Sequence, residues 1–298
     1  MSVSVGVVIG TRGNPELVVA AVDSILAGTV VPDELVVVDQ TRPVDPGVRA
    51  LAEAHEQVRV IDSTSVGLSS ARNEGIAATT SDVVAFTDDD VFVDPRWLEE
   101  MLAGLERAGP RAAVTGRVVA GPPEVPGGTA LSLATGTEPA VYEGLIRRDP
   151  LSGNSLAARR QAFDECGLFD ERLGPGAPYA SADDNDFGYR LLRAGYSIHF
   201  LPAAVVVHRA WRAGGSLRKV QRDYGRGQGA FIAKHALSGD AWMRGRFRSA
   251  TRWWLVRMLR RPLRERGLRG HGELTYLLAF LHAILDWWVH EHRRKRRG

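Results

Sequence analysis

Short apolar runs alternate with amphipathic stretches along the first part of the chain. Runs rich in Val and Ile occupy 3–10, 34–39, 58–62 and 82–87, which is typical of strands covered on both faces. Between them, apolar residues recur at helical spacing, and the predicted helices are 14–26, 48–55 and 70–78. Strands that alternate with helices over short connections predict a parallel α/β sheet with right-handed crossovers.

The second part of the chain continues the pattern less regularly. A helix is predicted at 96–107, a strand at 112–120, a strand leading into a helix at 153–160, a capped helix at 181–195 and a pair of strands at 197–209. Residues 121–144 are rich in Gly, Pro and Thr and predict a long loop, a kind of segment that is often functional. After residue 209 the alternation stops.

Carboxylates stand where two of the apolar runs end. Asp39 closes one run, and Asp88, Asp89 and Asp90 follow another. Open α/β sheets bind ligands at the carboxyl ends of their strands. Adjacent carboxylates repel unless a cation neutralises them, and Mg²⁺ prefers carboxylate oxygens together with substrate phosphates. Asp88 and Asp90 are therefore candidate metal ligands; the alternative is a solvated turn that caps the next helix.

A second acidic group, residues 182–186, opens a predicted helix. Asp184 is a candidate general base for a reaction in which a hydroxyl attacks, and the alternative is capping of the helix dipole. His208 ends an apolar strand and is a candidate metal ligand or a structural histidine. Arg72 is a candidate contact for phosphate or nucleotide, or a surface charge.

Composition sets the compartment and divides the chain by charge. The 298 residues include 44% hydrophobic and 24% charged side chains, a globular composition, and one cysteine, Cys166, so no internal disulfide forms. No signal-peptide pattern is visible at the amino terminus, and we expect a cytoplasmic protein. Residues 241–298 hold 15 Lys/Arg against 4 Asp/Glu, whereas the remainder is acidic.

This basic region contains ten arginines between residues 244 and 270, interleaved with Trp253, Trp254, Leu255, Met258 and Leu259. Its longest apolar stretch is interrupted by His282 and Asp286 and is too polar to span a bilayer. We expect it to bind an anionic membrane surface peripherally, on the inner face of the cell membrane. The alternatives are packing on the catalytic domain or on a second subunit in a homodimer; no nucleic-acid module accompanies the charge.

Four motifs in order resemble glycosyltransferase family 2, whose members have the GT-A fold and transfer sugars with inversion. They are "VVIGTRGNPELVVAAVDSIL", "ELVVVDQT", "VGLSSARNEGI" followed by "DVVAFTDDDVFVDPRWLEEM", and "GNSLAARRQAFDECGLFDERL" followed by "ADDNDFGYRLLRAGYSIHFLPAAVVVHR". They span about residues 3 to 209. The resemblance implies a GT-A-type, Rossmann-like α/β/α sandwich with a mainly helical C-terminal extension.

The resemblance also assigns roles to residues. Asp88 and Asp90 would hold the metal and the diphosphate, His208 would complete the metal site, Asp184 would be the catalytic base beside Asp183, Asp39 and Arg72 would contact the nucleotide, and Gly153 and Asn154 would form the turn beside the donor sugar. Two positions depart from the family pattern. Asp183 stands where many members have Glu, which leaves the choice of base between Asp183 and Asp184 open, and Gln40 follows Asp39 where a second Asp is common.

Two domains are expected. A catalytic domain covers 1–210, with a nucleotide-sugar half at 1–110 and an acceptor-side half at 111–210, and a basic helical region covers 211–298.

The expected reaction moves a sugar from a nucleoside diphosphate sugar to a saccharide or lipid-linked acceptor with Mg²⁺ or Mn²⁺, in glycan, envelope polysaccharide or glycolipid synthesis. The alternatives are a sugar-nucleotide nucleotidyltransferase and a non-catalytic sugar-nucleotide-binding protein. The first relies on lysines near the amino terminus, and here the first lysine is Lys219.

Overall fold

Strands and helices alternate along the described residues, which are 3–209, 211–212, 214–260 and 268–295 of this computed structural model. The strands are β1 (Val5–Thr11), β2 (Glu34–Asp39), β3 (Val58–Asp62), β4 (Val83–Asp88), β5 (Val91–Val93), β6 (Ala112–Ala120), β7 (Thr129–Ala130), β8 (Ala140–Tyr142), β9 (Leu156–Arg159), β10 (Ser197–His208) and β11 (Trp211–Arg212). The helices are α1 (Pro15–Leu26), α2 (Pro46–Ala54), α3 (Leu68–Ala78), α4 (Trp97–Ala108), α5 (Arg160–Cys166), α6 (Asp183–Arg193), α7 (Gly214–Leu237), α8 (Ala241–Arg260) and α9 (Leu268–Lys295).

Nine of the described strands form one sheet, in the order β3-β2-β1-β4-β9-β6-β10-β5 with β8 paired to β10. Strands β3, β2, β1 and β4 run parallel to one another, and β6 runs parallel to β10. Between these two parallel groups, β9 runs antiparallel to both β4 and β6. The predicted α/β sheet is confirmed, and the carboxyl ends of β1, β2 and β4 lie along one edge.

Both faces of the sheet are covered by helices, so the architecture is an α/β/α sandwich. Successive residues of a strand point to opposite faces, and in β1 Val7 and Ile9 join one core whereas Val8 joins the other. Helices α1, α2 and α4 cover the first face, where Trp97 is fully buried. Helices α3, α5 and α6 cover the second, which contains a cluster of stacked and edge-on phenylalanine rings around Phe163.

The predicted strand pair at 197–209 is instead one long strand, β10 (Ser197–His208). β10 pairs with β6 over its length and changes register between Leu201 and Val205. Pro202 lies in this irregular segment and has no N–H to offer the ladder, which is why the pairing is interrupted there without ending the strand. The strand therefore continues to His208, which pairs with Val91 beside the first acidic segment.

The C-terminal helices pack on the sandwich through a third core. This core contains five buried aromatic side chains. They are Phe231 of α7, Phe280 and Trp287 of α9, Tyr189 of α6, and Tyr179, which precedes α6. Small residues permit this approach: a Cβ at Gly229 of α7 would lie 2.3 Å from the backbone oxygen of Phe280. Helix α6, which begins with the second acidic group, is therefore packed against α7 and α9.

No helix among the described residues combines the length and the apolar character needed to cross a bilayer. The side chains of Trp253, Trp254, Leu255, Met258 and Leu259, and the basic residues at 261–267 and 296–298, lie outside the described part of the chain.

Candidate active site

The three carboxylates that follow β4 have three different environments. Asp88 is the last residue of the strand, and Asp89 turns back towards the loop after β1. There Asp89 accepts hydrogen bonds from Thr11 Oγ1 at 2.7 Å and Asn14 Nδ2 at 3.0 Å. Burial raises the pKa of Asp89 to about 6, against the effect of these two hydrogen bonds. None of the three carboxylates caps α4, whose N-cap residue is Arg96 and which has no side-chain cap.

Asp90 and His208 form a pair at the end of the sheet. The Nε2 atom of His208 lies 3.2 Å from Asp90 Oδ1, and its Nδ1 lies 3.1 Å from the carbonyl oxygen of Leu131. A carbonyl only accepts, so Nδ1 carries the proton and Nε2 faces the carboxylate. Burial lowers the pKa of His208, but the hydrogen bond and charge of Asp90 outweigh it and raise the value. A second proton or a cation is therefore stabilised at Nε2.

This pair has the chemistry of part of a divalent metal site. Imidazole nitrogen and carboxylate oxygen are both ligands for such ions, and a backbone carbonyl on the other ring nitrogen is a usual outer partner. Within the described residues, no three His, Cys, Asp or Glu side chains converge as a ligand set. Asp90 and His208 fit an ion whose remaining ligands come from substrate phosphates and water, which is the usual manner of Mg²⁺.

A buried arginine joins the two acidic segments. Arg72, on α3, has a side chain that is 3% exposed and lies 2.9 Å from Asp88 and 2.6 Å from Asp183. It also donates to the carbonyl oxygen of Gly153 at 2.9 Å. A Cβ at Gly153 would lie 2.8 Å from the guanidinium, so any larger residue would have to displace the Arg72 side chain. The predicted role of Arg72 in contacting nucleotide stays a prediction; the structure places it beneath the site as the counterion of both segments.

The two candidate bases differ in what they face. Asp183 is buried and bound to Arg72, whereas Asp184 is only partly buried and faces a cavity. Asp184 accepts hydrogen bonds from the backbone N–H groups of Gly153 at 3.1 Å and Asn185 at 2.8 Å. Burial and the charge of Asp183 raise the pKa of Asp184 to about 7, although Arg72 opposes the shift. Asp184 therefore has the exposure and proton affinity of a general base near neutral pH.

The turn before β9 lies between the two acidic segments. Gly153 contacts Arg72 with its carbonyl and Asp184 with its N–H, as described above. Asn154 is buried, accepts a hydrogen bond from Ser152 Oγ at 2.8 Å, and offers its carbonyl to Thr87 at 3.1 Å. The turn is thus fixed to β4, and its predicted place beside a donor sugar is untested.

The end of β2 supplies the predicted nucleotide contact. Asp39 is buried, and its Oδ1 accepts the N–H of Thr41 at 2.7 Å. Asp39 is not one of the described residues that line a cavity at this edge, so its contact with a base stays a prediction. The next residue, Gln40, does line one and ties β2 to α3 through both backbone groups of Gly67.

Two adjoining cavities open at this edge of the sheet. The first, the Asp90 cavity, has a volume of about 460 Å³, and its lining includes Gly10, Thr11, Gln40, Asp88, Asp89, Asp90, His208 and Arg212. The second, the Asp184 cavity, has a volume of about 990 Å³, and its lining includes Thr135, Tyr142, Arg148, Asp149, Asp184, Asn185, Phe200 and Tyr276. The candidate metal ligands and the candidate base therefore face separate but neighbouring spaces.

Helix α7 contributes residues that the sequence pattern did not predict. Lys219, Asp223 and Tyr224 line the Asp90 cavity, and Tyr224 and Gln228 line the Asp184 cavity. Tyr224 and Gln228 are four residues apart and so share one face of the helix. The sequence feature that could have indicated this contribution of α7 is Lys219, the first lysine of the chain. It lies in the region that was expected to be separate from catalysis.

The chain is similar to known proteins in sequence and in fold. The sequence model of glycosyl transferase family 2 matches residues 6–165. The pre-mycofactocin glycosyltransferase of Mycobacterium tuberculosis is 32% identical over 174 residues, which are 52% of this chain and 33% of that protein. The glucosyl-dolichyl phosphate glucuronosyltransferase of Haloferax volcanii is 29% identical over 185 residues, 58% of each chain. The chain thus spans about a third of the length of the first relative.

Among solved structures, mannosyltransferase PcManGT from Pyrobaculum calidifontis, in complex with GDP-Man and Mn²⁺, superimposes with a TM-score of 0.61. It is 18% identical, and the match covers 96% of this chain and 88% of that one. GalNAc-T7, solved with UDP, GalNAc and Mn²⁺, has a TM-score of 0.56 at 18% identity and covers 80% of this chain and 51% of that one. The predicted GT-A fold is confirmed.

Proposed function

The chain belongs to glycosyl transferase family 2, and from this premise we propose that it transfers a sugar from a nucleoside diphosphate sugar to an acceptor hydroxyl, with inversion and with a divalent metal ion. One observation carries the proposal: Arg72 holds the two acidic segments together at the carboxyl edge of the sheet, 2.9 Å from Asp88 and 2.6 Å from Asp183. The candidate metal ligands and the candidate base are thereby neighbours.

The Asp90 cavity is the proposed donor site. Asp90 and His208 would hold the ion, and Lys219 and Arg212 add positive charge to the same lining. When bound, the ion would act as a Lewis acid that neutralises the leaving diphosphate. The neighbouring structures solved with a nucleotide or nucleotide sugar and Mn²⁺ support this kind of donor and ion.

The Asp184 cavity is the proposed acceptor site. Asp184 takes the proton of the acceptor hydroxyl as its oxygen forms a bond to the anomeric carbon and the bond to the diphosphate breaks. Attack from the cavity opposite the diphosphate inverts the anomeric centre. The pKa of about 7 leaves Asp184 sufficiently basic for this transfer, while Asp183 is paired with Arg72.

The test is a panel of sugar nucleotides screened for thermal stabilisation with Mn²⁺ or Mg²⁺. We expect one donor to raise the melting temperature only in the presence of metal, and Asp90→Asn to remove this effect. Asp94→Asn is the matched control, since Asp94 lies in the turn before α4 and lines neither cavity. Stabilisation that survives Asp90→Asn would contradict the metal assignment.

The released product separates this proposal from the alternatives. A glycosyltransferase releases a nucleoside diphosphate from the stabilising donor once an acceptor is supplied. A nucleotidyltransferase releases pyrophosphate from a nucleoside triphosphate, and a non-catalytic binding protein releases neither. Chromatography of the nucleotide products with pyrophosphate detection distinguishes the three.

We also propose that α9 rests on an anionic membrane surface, where a lipid-linked acceptor would be found. Leu274, Leu278, Leu281 and Leu285 are exposed at spacings of four, three and four, and Leu278 and Leu285 are 59% and 65% exposed. Two acidic residues of α9 contact the rest of the protein, since Asp286 binds Tyr179 and Glu291 binds Arg172. The exposed face is thus left apolar with basic residues near its end, which suits anionic lipid. The Haloferax relative, whose name specifies glucosyl-dolichyl phosphate, supports a lipid-linked acceptor.

Flotation with vesicles tests this surface. We expect binding to vesicles that contain phosphatidylglycerol, weaker binding to phosphatidylcholine alone, and loss of binding in Leu278→Ser with Leu285→Ser. Leu237→Ser, at an exposed leucine of α7, is the matched control. If the double variant instead dissociates a dimer in sedimentation and leaves flotation unchanged, the face is a subunit contact and the membrane proposal fails. A cytoplasmic location on the inner face of the cell membrane is the corresponding proposal for the cell.

A further inference from the structure

The two cavities meet at a pair of hydroxyl groups. Among the described residues, Ser132 and Tyr224 are the two that line both the Asp90 cavity and the Asp184 cavity. Ser132 Oγ and the Tyr224 hydroxyl lie 2.9 Å apart and are hydrogen bonded to each other. Ser132 belongs to the Gly- and Pro-rich segment after β6, and Tyr224 belongs to α7. The pair therefore joins two parts of the chain at the boundary between the proposed donor and acceptor sites.

The loop that carries Ser132 is held in an unusual conformation. Ser132 has a φ of 54°, in the left-handed region that non-glycine residues seldom adopt and that persists where surrounding contacts impose it. The preceding carbonyl, of Leu131, is bound to His208, and the carbonyl of Ser132 faces Asn154 Nδ2 at 3.5 Å. The position of the Ser132 hydroxyl is thus set by a candidate metal ligand and by the turn before β9.

Tyr224 is fixed from the opposite side. Ser181, three residues before Asp184, directs its hydroxyl to the backbone oxygens of Asp223 and Tyr224 at 3.2 and 3.5 Å. One turn farther along α7, a Cβ at Gly227 would lie 2.4 Å from the backbone oxygen of Ser181, so the helix is in direct contact with this segment. The tyrosine hydroxyl consequently has a defined position relative to the candidate base.

The transferred sugar has to occupy this boundary. Its anomeric carbon must reach the diphosphate in the Asp90 cavity and the hydroxyl activated by Asp184 in the other cavity. A hydroxyl group both donates and accepts hydrogen bonds, so Ser132 and Tyr224 match the hydroxyl groups of a sugar. We propose that these two residues exchange their mutual hydrogen bond for hydrogen bonds to the donor sugar and determine which sugar is accepted. This inference rests on the proposed function and extends it to sugar selection.

Selectivity follows from the loss of a partner. A site built to hydrogen-bond a substrate hydroxyl disfavours a sugar that lacks it or presents it in another direction, because a polar group is left unpaired. In the proposed arrangement the diphosphate would be held at Asp90 and His208, and the pair would contact the sugar. Removing either hydroxyl should therefore weaken binding of the sugar nucleotide and leave binding of the nucleoside diphosphate unchanged.

Calorimetric titration tests the inference with two probes, each with Mn²⁺: the sugar nucleotide that gives the largest stabilisation in the panel, and the matching nucleoside diphosphate. The variants are Tyr224→Phe, which keeps the ring, and Ser132→Gly, which keeps the left-handed backbone accessible. We expect each to weaken the sugar nucleotide about tenfold and the nucleoside diphosphate less than twofold. Tyr196→Phe, at a buried tyrosine outside both cavity linings, is the matched control.

The outcomes separate the two proposals. Equal weakening of both probes, or no change for either, overturns the assignment of Ser132 and Tyr224 while leaving the donor site intact. Failure of the unmodified protein to bind either probe rejects the proposed function and this inference with it. A donor that lacks the sugar hydroxyl contacted by Tyr224 should bind Tyr224→Phe and the unmodified protein equally well, which a purely structural role would not produce.

Discussion

The two acidic segments of this protein, residues 88–90 and 183–186, have similar composition but use their charge differently. In the first, the three carboxylates line one cavity and have separate neutral or cationic partners. In the second, Asp183 is bound to Arg72, Asp184 faces a cavity, and Asp186 is completely buried. Asp186 is bound to His235 at 2.7 Å and to Lys234 and Arg190 at 2.9 Å.

This difference shows that the charged and hydrogen-bonding groups around an aspartate decide whether it serves stability or catalysis. His235, Lys234 and Arg190 hold the pKa of Asp186 well below its usual range, although burial alone raises it. Two residues earlier, burial and Asp183 raise the pKa of Asp184 to about 7. On one helical turn, Asp186 thus anchors α6 to α7, and Asp184 keeps a proton affinity suited to catalysis.

The largest expected effect comes from Asp184→Asn. The variant should bind the donor with unchanged affinity and lose transfer by a factor of about 10²–10⁴, the usual contribution of general base catalysis. Transfer rates at saturating donor, together with donor titrations, measure the two quantities. Full transfer activity in Asp184→Asn would move the base elsewhere, with Asp183→Asn as the next variant.

Asp186→Asn should act on stability instead of chemistry. It removes the buried carboxylate that Arg190, Lys234 and His235 share, leaving Lys234 only its contact with Asp170 at 2.8 Å, and should lower the free energy of unfolding by about 3–5 kcal/mol. Urea unfolding measures this loss. Asp164→Asn, at an exposed aspartate, is the control and should change stability by less than about 0.5 kcal/mol. A loss as small as the control would show that the buried network is dispensable.

The pH dependence of stability sharpens the contrast because the two shifts have opposite signs. A depressed pKa contributes stability above the unfolded value, so the loss caused by Asp186→Asn should shrink as pH falls below about 4. The raised pKa of Asp184 contributes stability at low pH, and this contribution is lost as the pH rises. Relative to the unmodified protein, Asp184→Asn should therefore become more stable as the pH rises from about 4 to 7. Each unit of pKa displacement corresponds to about 1.4 kcal/mol. Parallel slopes for the two variants would contradict the comparison.

The smallest effect is expected at the contact between the segments. Gly153→Ala places a Cβ 2.8 Å from the Arg72 guanidinium and should cost about 1–2 kcal/mol of stability through overpacking. Gly245→Ala in α8, where a Cβ would meet nothing within 4 Å, is the control and should be neutral or stabilising. Thermal unfolding of both variants gives the comparison, and equal melting temperatures would indicate that Arg72 moves aside freely.

The sheet and the positions of the acidic segments could be predicted because their signals are local. The Val- and Ile-rich runs became β1 to β4, and a carboxylate at the end of a run necessarily lies at the end of a strand. The single strand β10 was missed because pairing with β6 resumes after the irregular segment at Pro202, and partner choice is not encoded in the run itself. The same long-range dependence hid α7, whose cavity-lining face is set by packing against Ser181 and α9.

The sequence by itself determined the α/β class, the family resemblance and the set of acidic residues at the strand ends, since hydrophobic period and motif order are properties of neighbouring residues. Only the tertiary structure decided which aspartate is bound to Arg72, which is buried among His235, Lys234 and Arg190, and which faces a cavity. Burial and charge pairing depend on residues that are about a hundred positions apart in the chain, as Arg72 and Asp183 are, and folding alone brings them within a hydrogen bond of each other.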